Sequence, residues 1–384
     1  MNRMNKKILK VAVTTNIISS YREGFYDRLF SREDLFVKVY CQERVPGLNV
    51  KSIHHKYPDN VQIVKCISAK RDRLVWQHIP WTEIVNDYDL VFVSGNPRIL
   101  SDAFLASLLR LLRRKVVLWT MAHSFRGNPV TEDVRLLWSR IFDFLFVYTD
   151  AEVEYLRQRG FTKQYILGMN NGLDQKNIDD AVSRWSEERL QRWRTEHHFE
   201  NRSLVLSCAR LESKNRFEQV IQALPEIMKE IPNILWCVIG NGAEESNLRS
   251  IVAAAGLADH VHFVGELYDE EELAPWFLSA ELLIHPAAIG LTILHAFGYG
   301  LPVVTHGNAE LHNPEYAAFT PELTGRNFRE DDIRGMAGAV IKLLQDNDAR
   351  SKMKNYTLRV ARERYNVDIM VERFVQIAQK ASCA

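Results

Sequence analysis

The chain has 384 residues, 46% of them hydrophobic, and a formal net charge of +1. This length is ample for two or three globular domains, and the balanced charge gives no sign of nucleic-acid binding. Five widely separated cysteines without a C-x-x-C pair predict neither a disulfide framework nor a zinc site, and no apolar run reaches the length of a membrane span.

The first half of the chain alternates short apolar strands with helices. Strands are predicted at 9–15, 36–40, 61–65, 90–94, 115–119, 144–148 and 165–167. A helix follows the first strand, a second one is expected to begin with Ser101 as its cap, and a third is expected to begin at Thr149 or Asp150 and to end before Gly160. The apolar run after Lys10 ends in Asn16 without a small-residue cleavage site, so we interpret it as the first core strand and not as a signal peptide.

Three residues of this half follow predicted strands, in loops that line the ligand crevice of a doubly wound sheet. Tyr21 and Arg22 follow the first strand, and Asn96 lies in the turn after the strand 90–94. We expect Asn96 to face an acceptor, and Tyr21 and Arg22 to face an acceptor or the donor phosphates. A surface arginine beside a packed tyrosine explains the pair at least as well.

The charge of the chain is unevenly divided. Residues 1–180 contain 27 Lys and Arg against 20 Asp and Glu, a net of +7, which leaves 22 against 28, a net of −6, for the remainder. The basic run from Arg110 to Lys115 ends an apolar helix, and tryptophans lie among basic residues at 71–81. Packing on the sheet explains the helix, and contact with an anionic lipid surface is its alternative. Core packing explains the tryptophans, and contact with a lipid interface or stacking on an acceptor sugar are their alternatives.

The second half alternates regularly. Strands are predicted at 203–208, 234–239, 260–264, 281–285 and 302–305, with helices beginning near 215, 244, 270, 291 and 332. This βαβα order is typical of a parallel sheet covered on both faces. We place the domain boundary near residue 180, which gives domains at 1–180 and 181–364 and a terminal helix, 365–384, that is expected to cross back to the first domain.

The segment from His285 to Glu315 is the strongest functional candidate. Its order of strand, glycine turn, helix, glycine turn and strand places Gly290, Leu291 and Thr292 at the start of a helix. The free N–H groups of a first helical turn, with the helix dipole behind them, bind anions such as phosphate. An ordinary αβ unit whose glycines relieve packing is the alternative.

Several motifs in this order resemble the retaining GT-B glycosyltransferases of family four. They are Ser207-Cys-Ala-Arg210-Leu-Glu-Ser-Lys214, Val238-Ile-Gly240-Asn-Gly242, Val261-His-Phe-Val-Gly265, and Gly290-Leu followed by Gly300-Leu-Pro-Val-Val. The resemblance implies an α/β protein with two Rossmann-like domains whose parallel sheets face a central cleft. It also implies transfer of a sugar from a nucleotide-sugar with retention of configuration and without a metal or other cofactor.

The resemblance also assigns roles to residues. Arg210 and Lys214 would hold the diphosphate, and His123, on a loop after a strand, would lie next to the transferred sugar. The donor-binding set would be Asn241, Gly242, Gly265, Leu267, Gly290, Leu291, Thr292, His295 and Glu315.

The chain departs from the family pattern at two positions. Family members carry two glutamates eight residues apart, and here these positions hold Ala287 and His295. His295 still offers one hydrogen bond toward a ribose hydroxyl, whereas Ala287 offers none. We therefore expect an altered donor subsite, and we expect His295→Glu to keep or improve nucleotide binding.

The predicted function is a cytoplasmic glycosyltransferase, located at the inner face of the cell membrane through peripheral contact. Its acceptor would be a saccharide or a lipid-linked saccharide, as in polysaccharide, lipopolysaccharide or capsule biosynthesis. A non-catalytic paralogue that binds a nucleotide or a partner glycosyltransferase, and a nucleotide-sugar epimerase, are the alternatives.

Overall fold

The computed structural model describes residues 8–45, 52–69, 74–122 and 129–384, with the backbone alone at 129–131. The chain forms two compact units. The first runs to Asn171 and includes Val367–Ala384, and the second is Gly172–Asn366. None of the helices in the described ranges is long and apolar enough to cross a membrane.

The described residues form strands and helices with the following bounds. The strands are β1 Leu9–Thr14, β2 Leu35–Cys41, β3 Val61–Ile63, β4 Cys66–Ala69, β5 Leu74–Gln77, β6 Leu90–Ser94, β7 Val116–Thr120, β8 Phe144–Val147, β9 Tyr165–Gly168, β10 Ser203–Cys208, β11 Ile234–Ile239, β12 Val261–Gly265, β13 Leu282–His285, β14 Val303–His306 and β15 Gly325–Phe328. The helices are α1 Glu23–Phe30, α2 Trp81–Asp87, α3 Leu100–Leu111, α4 Pro129–Ser139, α5 Asp150–Gln158, α6 Gln175–Ser183, α7 Glu187–Glu196, α8 Glu218–Glu230, α9 Glu245–Ala254, α10 Glu270–Ser279, α11 Thr292–Gly298, α12 Ile333–Gln345, α13 Asn347–Glu363 and α14 Val367–Cys383.

The first unit is built on a parallel sheet with the strand order β3-β2-β1-β6-β7-β8-β9. Helices α2 to α5 cover one face, where Leu105 and Leu136 share a buried cluster. Helices α1 and α14 cover the other face, where Phe25 and Phe374 are buried. Runs of Val, Leu and Phe form these strands because a parallel sheet is buried on both faces.

The last helix, α14, belongs to the first unit although it comes at the end of the chain. The ring of Phe374 stacks on Phe92 with centroids 4.3 Å apart, and Arg373 pairs with Asp150 at 2.6 Å. The apolar side predicted for this helix therefore completes the core of the amino-terminal sheet.

The second unit contains a parallel sheet with the order β12-β11-β10-β13-β14-β15. One face packs on α6, α10, α11 and α13, and the other packs on α8, α9 and α12. Since α6 buries Ile178 and Ala181 in this core, the division between the units falls between Asn171 and Gly172, ahead of residue 180.

The predicted strands are confirmed in both units, with two local corrections. Ser101 is not a helix cap, because Ile99 holds that position and the buried Ser101 hydroxyl instead accepts a hydrogen bond from the Gln77 N–H at 3.0 Å. The antiparallel hairpin of β4 and β5 was not predicted. Thr149 caps α5 by accepting from the Glu152 N–H, as expected.

We expect Phe374→Ala to lower the free energy of unfolding of the first unit by about 3–5 kcal/mol, since it removes a fully buried ring and leaves a cavity. Urea denaturation followed by tryptophan fluorescence would measure this, because Trp119 lies against Phe374. Gln379→Ala, at an exposed position of the same helix, is the control. A loss no larger than that of the control would contradict the packing described for α14.

Candidate functional site

The loops that follow β10, β11 and β12 are tied together at the carboxyl edge of the second sheet. The Gly240 N–H donates to the Gly265 carbonyl at 2.7 Å, and the Leu211 N–H donates to the Asn241 carbonyl at 3.0 Å. Gly240 has φ +138°, and a Cβ there would lie 2.0 Å from the Ala209 carbonyl oxygen. This glycine is therefore required for the close approach of two loops.

The same constraint applies at Gly242, where a Cβ would lie 2.2 Å from the Leu211 carbonyl oxygen. Leu267 follows β12 and packs against the core, while the neighbouring Tyr268 is 81% exposed. Asn241, Gly242, Gly265 and Leu267 are thus brought to the edge that also carries the loop after β10.

The loop after β10 presents two cations held by one carboxylate. Arg210 Nη1 lies 3.8 Å from Glu212 Oε1, and Lys214 Nζ donates to Glu212 Oε2. The hydrogen bond from Lys214 lowers the pKa of Glu212. Both cationic side chains are more than half exposed, so they are available to an anionic ligand that competes with Glu212.

Helix α11 begins beside this loop. The Thr292 hydroxyl donates to the Cys208 carbonyl at 2.9 Å, which joins the start of α11 to the end of β10. The preceding turn is fixed from the other side, since the Ile289 carbonyl accepts from the Asn313 N–H at 3.1 Å. The structure therefore places Gly290, Leu291 and Thr292 at the same edge of the sheet as Arg210.

Neutral histidines support this turn. His312 Nδ1 accepts from the Ile289 N–H at 3.1 Å, so its Nε2 carries the proton and donates to the His306 carbonyl at 2.9 Å. Burial lowers the pKa of His312 to about 3 and that of His285 to about 4. These rings add no charge to the site. Glu315 is buried in the short turn Pro314–Ala318 that follows.

His295 lies on α11 next to a carboxylate from another helix. Its Nε2 donates to Glu270 Oε2 at 2.9 Å, and the Tyr299 hydroxyl donates to the same oxygen at 2.7 Å. Burial by itself would lower the pKa of His295, but hydrogen bonds to Cys208 and Glu270 and the charge of Glu270 raise it to about 9. His295 and Glu270 therefore form an ion pair at neutral pH.

This pair changes what is expected of position 295. A glutamate there would stand within hydrogen-bond distance of the Glu270 carboxylate, and two carboxylates so close repel. We therefore expect His295→Glu to destabilise the second unit near neutral pH. The expectation from sequence, that this change keeps or improves nucleotide binding, stays a prediction. Ala287 is 4% exposed and brings no polar group to the site.

On the first unit, Arg22 lies in a cage of aromatic rings. Its guanidinium carbon is 5.6 Å from the ring centroid of Tyr21, 5.7 Å from Trp119 and 5.5 Å from Tyr148. Among the described residues, its Nε and Nη2 are buried without a hydrogen-bond partner. Tyr21 remains 48% exposed. The arginine is held by cation–π contacts at the carboxyl edge of the first sheet.

Two further loops lie at this edge. Asn96 shapes the turn after β6, where its Oδ1 accepts from the Arg98 N–H at 3.1 Å. The buried Glu152 carboxylate, which sequence reasoning missed, accepts from the Ala122 N–H at 2.9 Å and from the Tyr148 N–H at 2.7 Å. Glu152 thus joins the backbone at Ala122 to the end of β8. His123, the predicted catalytic residue that follows Ala122 in the sequence, lies outside the described residues.

Comparison with known proteins assigns a class to the second unit. Residues 191–360 match the model of the family described as glycosyl transferases group 1, so this unit contains a domain of that kind. The O-antigen biosynthesis glycosyltransferase WclY of Escherichia coli is 25% identical over 296 residues, which are 70% of this chain and 77% of that protein.

A second relative is larger than this chain. The GtfA subunit of the UDP-N-acetylglucosamine–peptide N-acetylglucosaminyltransferase of Streptococcus agalactiae is 24% identical over 253 residues, which are 64% of this chain. The chain spans 48% of the length of that relative.

Solved structures define the fold of the whole chain. Anabaena Alr3699/HepE in complex with UDP matches with a TM-score of 0.70 and 14% identity, covering 97% of this chain and 100% of that one. A glycosyltransferase from Rickettsia africae matches with a TM-score of 0.68 and 12% identity, covering 98% and 99%. The chain therefore has the GT-B fold, with two Rossmann-like units.

The His295 and Glu270 pair predicts a pH-dependent stability. Because the pKa of His295 is raised from about 6.5 to about 9, its contribution is complete below about pH 6.5 and is lost as the pH rises through about 9. We expect His295→Gln to cost about 1–3 kcal/mol at pH 6.5, the range for hydrogen bonds to charged groups, and much less at pH 10.

Urea denaturation of wild type and variant across this pH range gives the difference directly, since other titrating groups cancel. His55→Gln, at an exposed histidine, controls for the substitution itself. A difference between wild type and His295→Gln that does not change with pH would show that the pair is not charged.

Proposed function

We propose that this protein is a glycosyltransferase that moves a sugar from a nucleotide-sugar to a saccharide or lipid-linked saccharide acceptor, with retention of anomeric configuration. One observation carries the proposal. Loops after four neighbouring strands of the glycosyl transferases group 1 domain bring two exposed cations, Arg210 and Lys214, to the same sheet edge as the start of α11.

The chemistry follows from charge. Departure of a nucleoside diphosphate develops negative charge on its leaving oxygen, and preorganised donors at that point lower the barrier. Arg210 offers a planar fork suited to phosphate oxygens, and Lys214 offers a point charge. Backbone N–H groups at Gly290 to Thr292 complete the anion site, while Glu212 holds both cations in place until a diphosphate displaces it.

We further propose that the transfer needs neither a metal nor a covalent intermediate. Two cations and backbone donors already provide the charge that a metal would otherwise supply to a diphosphate, and the residues of the candidate site include no evident carboxylate nucleophile. His123, which directly follows Ala122 in the sequence, is proposed to lie next to the transferred sugar, and Glu152 positions the Ala122 backbone.

The acceptor is proposed to bind the first unit, at the edge where Tyr21, Arg22 and Asn96 lie. The relative WclY acts in O-antigen biosynthesis, and another relative, from Mycolicibacterium smegmatis, is a phosphatidyl-myo-inositol mannosyltransferase. On the likeness to these relatives, we propose that the reaction belongs to the biosynthesis of a polysaccharide, lipopolysaccharide or capsule and takes place at the inner face of a cell membrane.

A non-catalytic nucleotide-binding protein is the second candidate. It is favoured by the two family positions that lack carboxylates here, Ala287 and His295, the second of which is engaged with Glu270. Such a protein would bind a nucleotide at the same cations without turnover, so binding and turnover must be measured separately.

We expect Arg210→Ala and Lys214→Ala each to weaken binding of a nucleoside diphosphate roughly 10- to 100-fold at low ionic strength, since each removes a charge-assisted contact. Isothermal titration calorimetry with UDP and GDP measures this. Lys229→Ala removes an exposed lysine that also pairs with a carboxylate, Glu226, and should bind like the wild type. Undiminished affinity in the double variant would remove these cations from the site.

Turnover tests the catalytic proposal itself. UDP-glucose, UDP-N-acetylglucosamine and GDP-mannose are incubated with the protein and a membrane lipid extract, and release of the nucleoside diphosphate is followed. We expect release that depends on the acceptor, is unchanged after EDTA treatment and is lost in the Arg210→Ala, Lys214→Ala double variant. Tight binding of the nucleotide-sugar without release of the nucleoside diphosphate would favour the non-catalytic candidate. Conversion of the nucleotide-sugar without an acceptor would favour an epimerase. Loss of turnover with EDTA that Mn²⁺ reverses would contradict the metal-free mechanism.

A further inference from the structure

Two helices on the outer side of the first sheet each carry a second apolar stripe that faces solvent. On α3, Leu100 is 42% exposed, Phe104 48% and Leu111 80%, although the opposite side of the helix is buried. On and after α4, Val134 is 60% exposed and Leu137 69%, followed by Ile141 at 41%. Both spacings place the exposed side chains on one side of a helix.

The two stripes lie side by side. Helices α3 and α4 connect neighbouring parallel strands, β6 to β7 and β7 to β8, and their inward residues Leu109 and Leu136 share one buried cluster. Arg110 Nη1 lies 3.3 Å from Asp143 Oδ2, which joins the end of α3 to the loop after α4. We call this combined surface, formed by the six exposed side chains named above, the α3/α4 face.

Basic residues rim one end of the face. They are Arg110, Arg113, Arg114, Lys115 and Arg140, against three acidic residues, Asp87, Asp133 and Asp143. The excess is two positive charges by this count, 5 − 3. An anionic surface would complement this end, while the apolar stripes would complement the hydrocarbon beneath it.

The backbone gives independent support for the basic rim. Arg113 has φ +53° directly after the end of α3, where the Arg114 N–H donates to the Leu109 carbonyl. Helices commonly place glycine at this left-handed position, because other residues are strained there. The chain keeps an exposed cation at Arg113 despite that strain, and within the described part of the chain Arg113 has no ion pair.

The other end of the face carries aromatic rings. Trp81 lies 4.4 Å from Phe104 and 5.6 Å from Trp76, measured between ring centroids. The tryptophans predicted to contact lipid, acceptor or core are thus half-buried beside the exposed stripe. Tryptophan has an apolar body and a polar N–H, which suits the boundary between lipid and water.

We propose that the α3/α4 face docks the protein on an anionic lipid bilayer. Both helices would lie in the plane of the interface, with the leucine stripes in the acyl boundary and the arginine-rich end against acidic headgroups. The proposal does not depend on the activity of the second unit.

Vesicle cosedimentation of the full chain tests the proposal. We expect pelleting with phosphatidylcholine vesicles that contain 30 mol% phosphatidylglycerol at low ionic strength, little pelleting with phosphatidylcholine alone, and release as salt is raised. The charge variant Arg113→Gln, Lys115→Gln should lose roughly 25-fold in partitioning, about fivefold for each cation. The apolar variant Leu111→Ser, Leu137→Ser should also lose binding and, because both sites are exposed, keep its fold.

Lys229→Gln, Arg249→Gln makes the same charge change on the second unit and should bind like the wild type. Failure of the wild type to pellet at low salt, or pelleting that neither face variant reduces, would overturn the proposal. A dimer in sedimentation velocity that both face variants abolish, without vesicle binding, would assign the face to a second copy of the chain and would equally overturn it.

Discussion

The candidate site depends on the backbone hydrogen bonds that join the loops after β10, β11 and β12. These bonds require the chain to come closer at Gly240 and Gly242 than any side chain would allow. A rigid loop edge results, and the exposed cations Arg210 and Lys214 project from it. Preorganisation of this kind matters because donors that are already in place need no reorganisation when charge develops on a leaving group.

Burial and ion pairing determine the protonation state of the histidines near this edge. His285 and His312 are kept neutral by desolvation, so they shape the turn before α11 without competing with the cations. His295 is charged, but that charge is paired with Glu270 and lies within the helix layer. The exposed cations of the candidate site, Arg210 and Lys214, therefore lie in the loop after β10, where Glu212 is their counter-ion.

Sequence patterns predict much of the fold and part of the site. Apolar runs at 90–94 and 234–239 reveal buried parallel strands because both of their faces are covered, and glycines after strand ends mark loops that approach closely. The short hairpin of β4 and β5 was not predicted because its residues other than Gln77 are half-buried or exposed, so they form no continuous apolar run. Some contacts of the site join segments that are distant in sequence, and no local sequence pattern predicts them. They are the pairing of Glu270 with His295, the hydrogen bond from Ile289 to His312, and the hydrogen bonds that Glu152 accepts from Ala122 and Tyr148.

Hydrogen–deuterium exchange with mass spectrometry, with and without saturating UDP, tests the central claim most directly. A diphosphate bound at the carboxyl edge of the second sheet should slow exchange at 208–214, at 240–242 and in the turn before α11, and should leave the amides of β15 unchanged. Two results would contradict the assignment of these loops as the donor site. One is protection from exchange that is confined to other segments, and the other is no protection at a UDP concentration that raises the thermal stability of the protein.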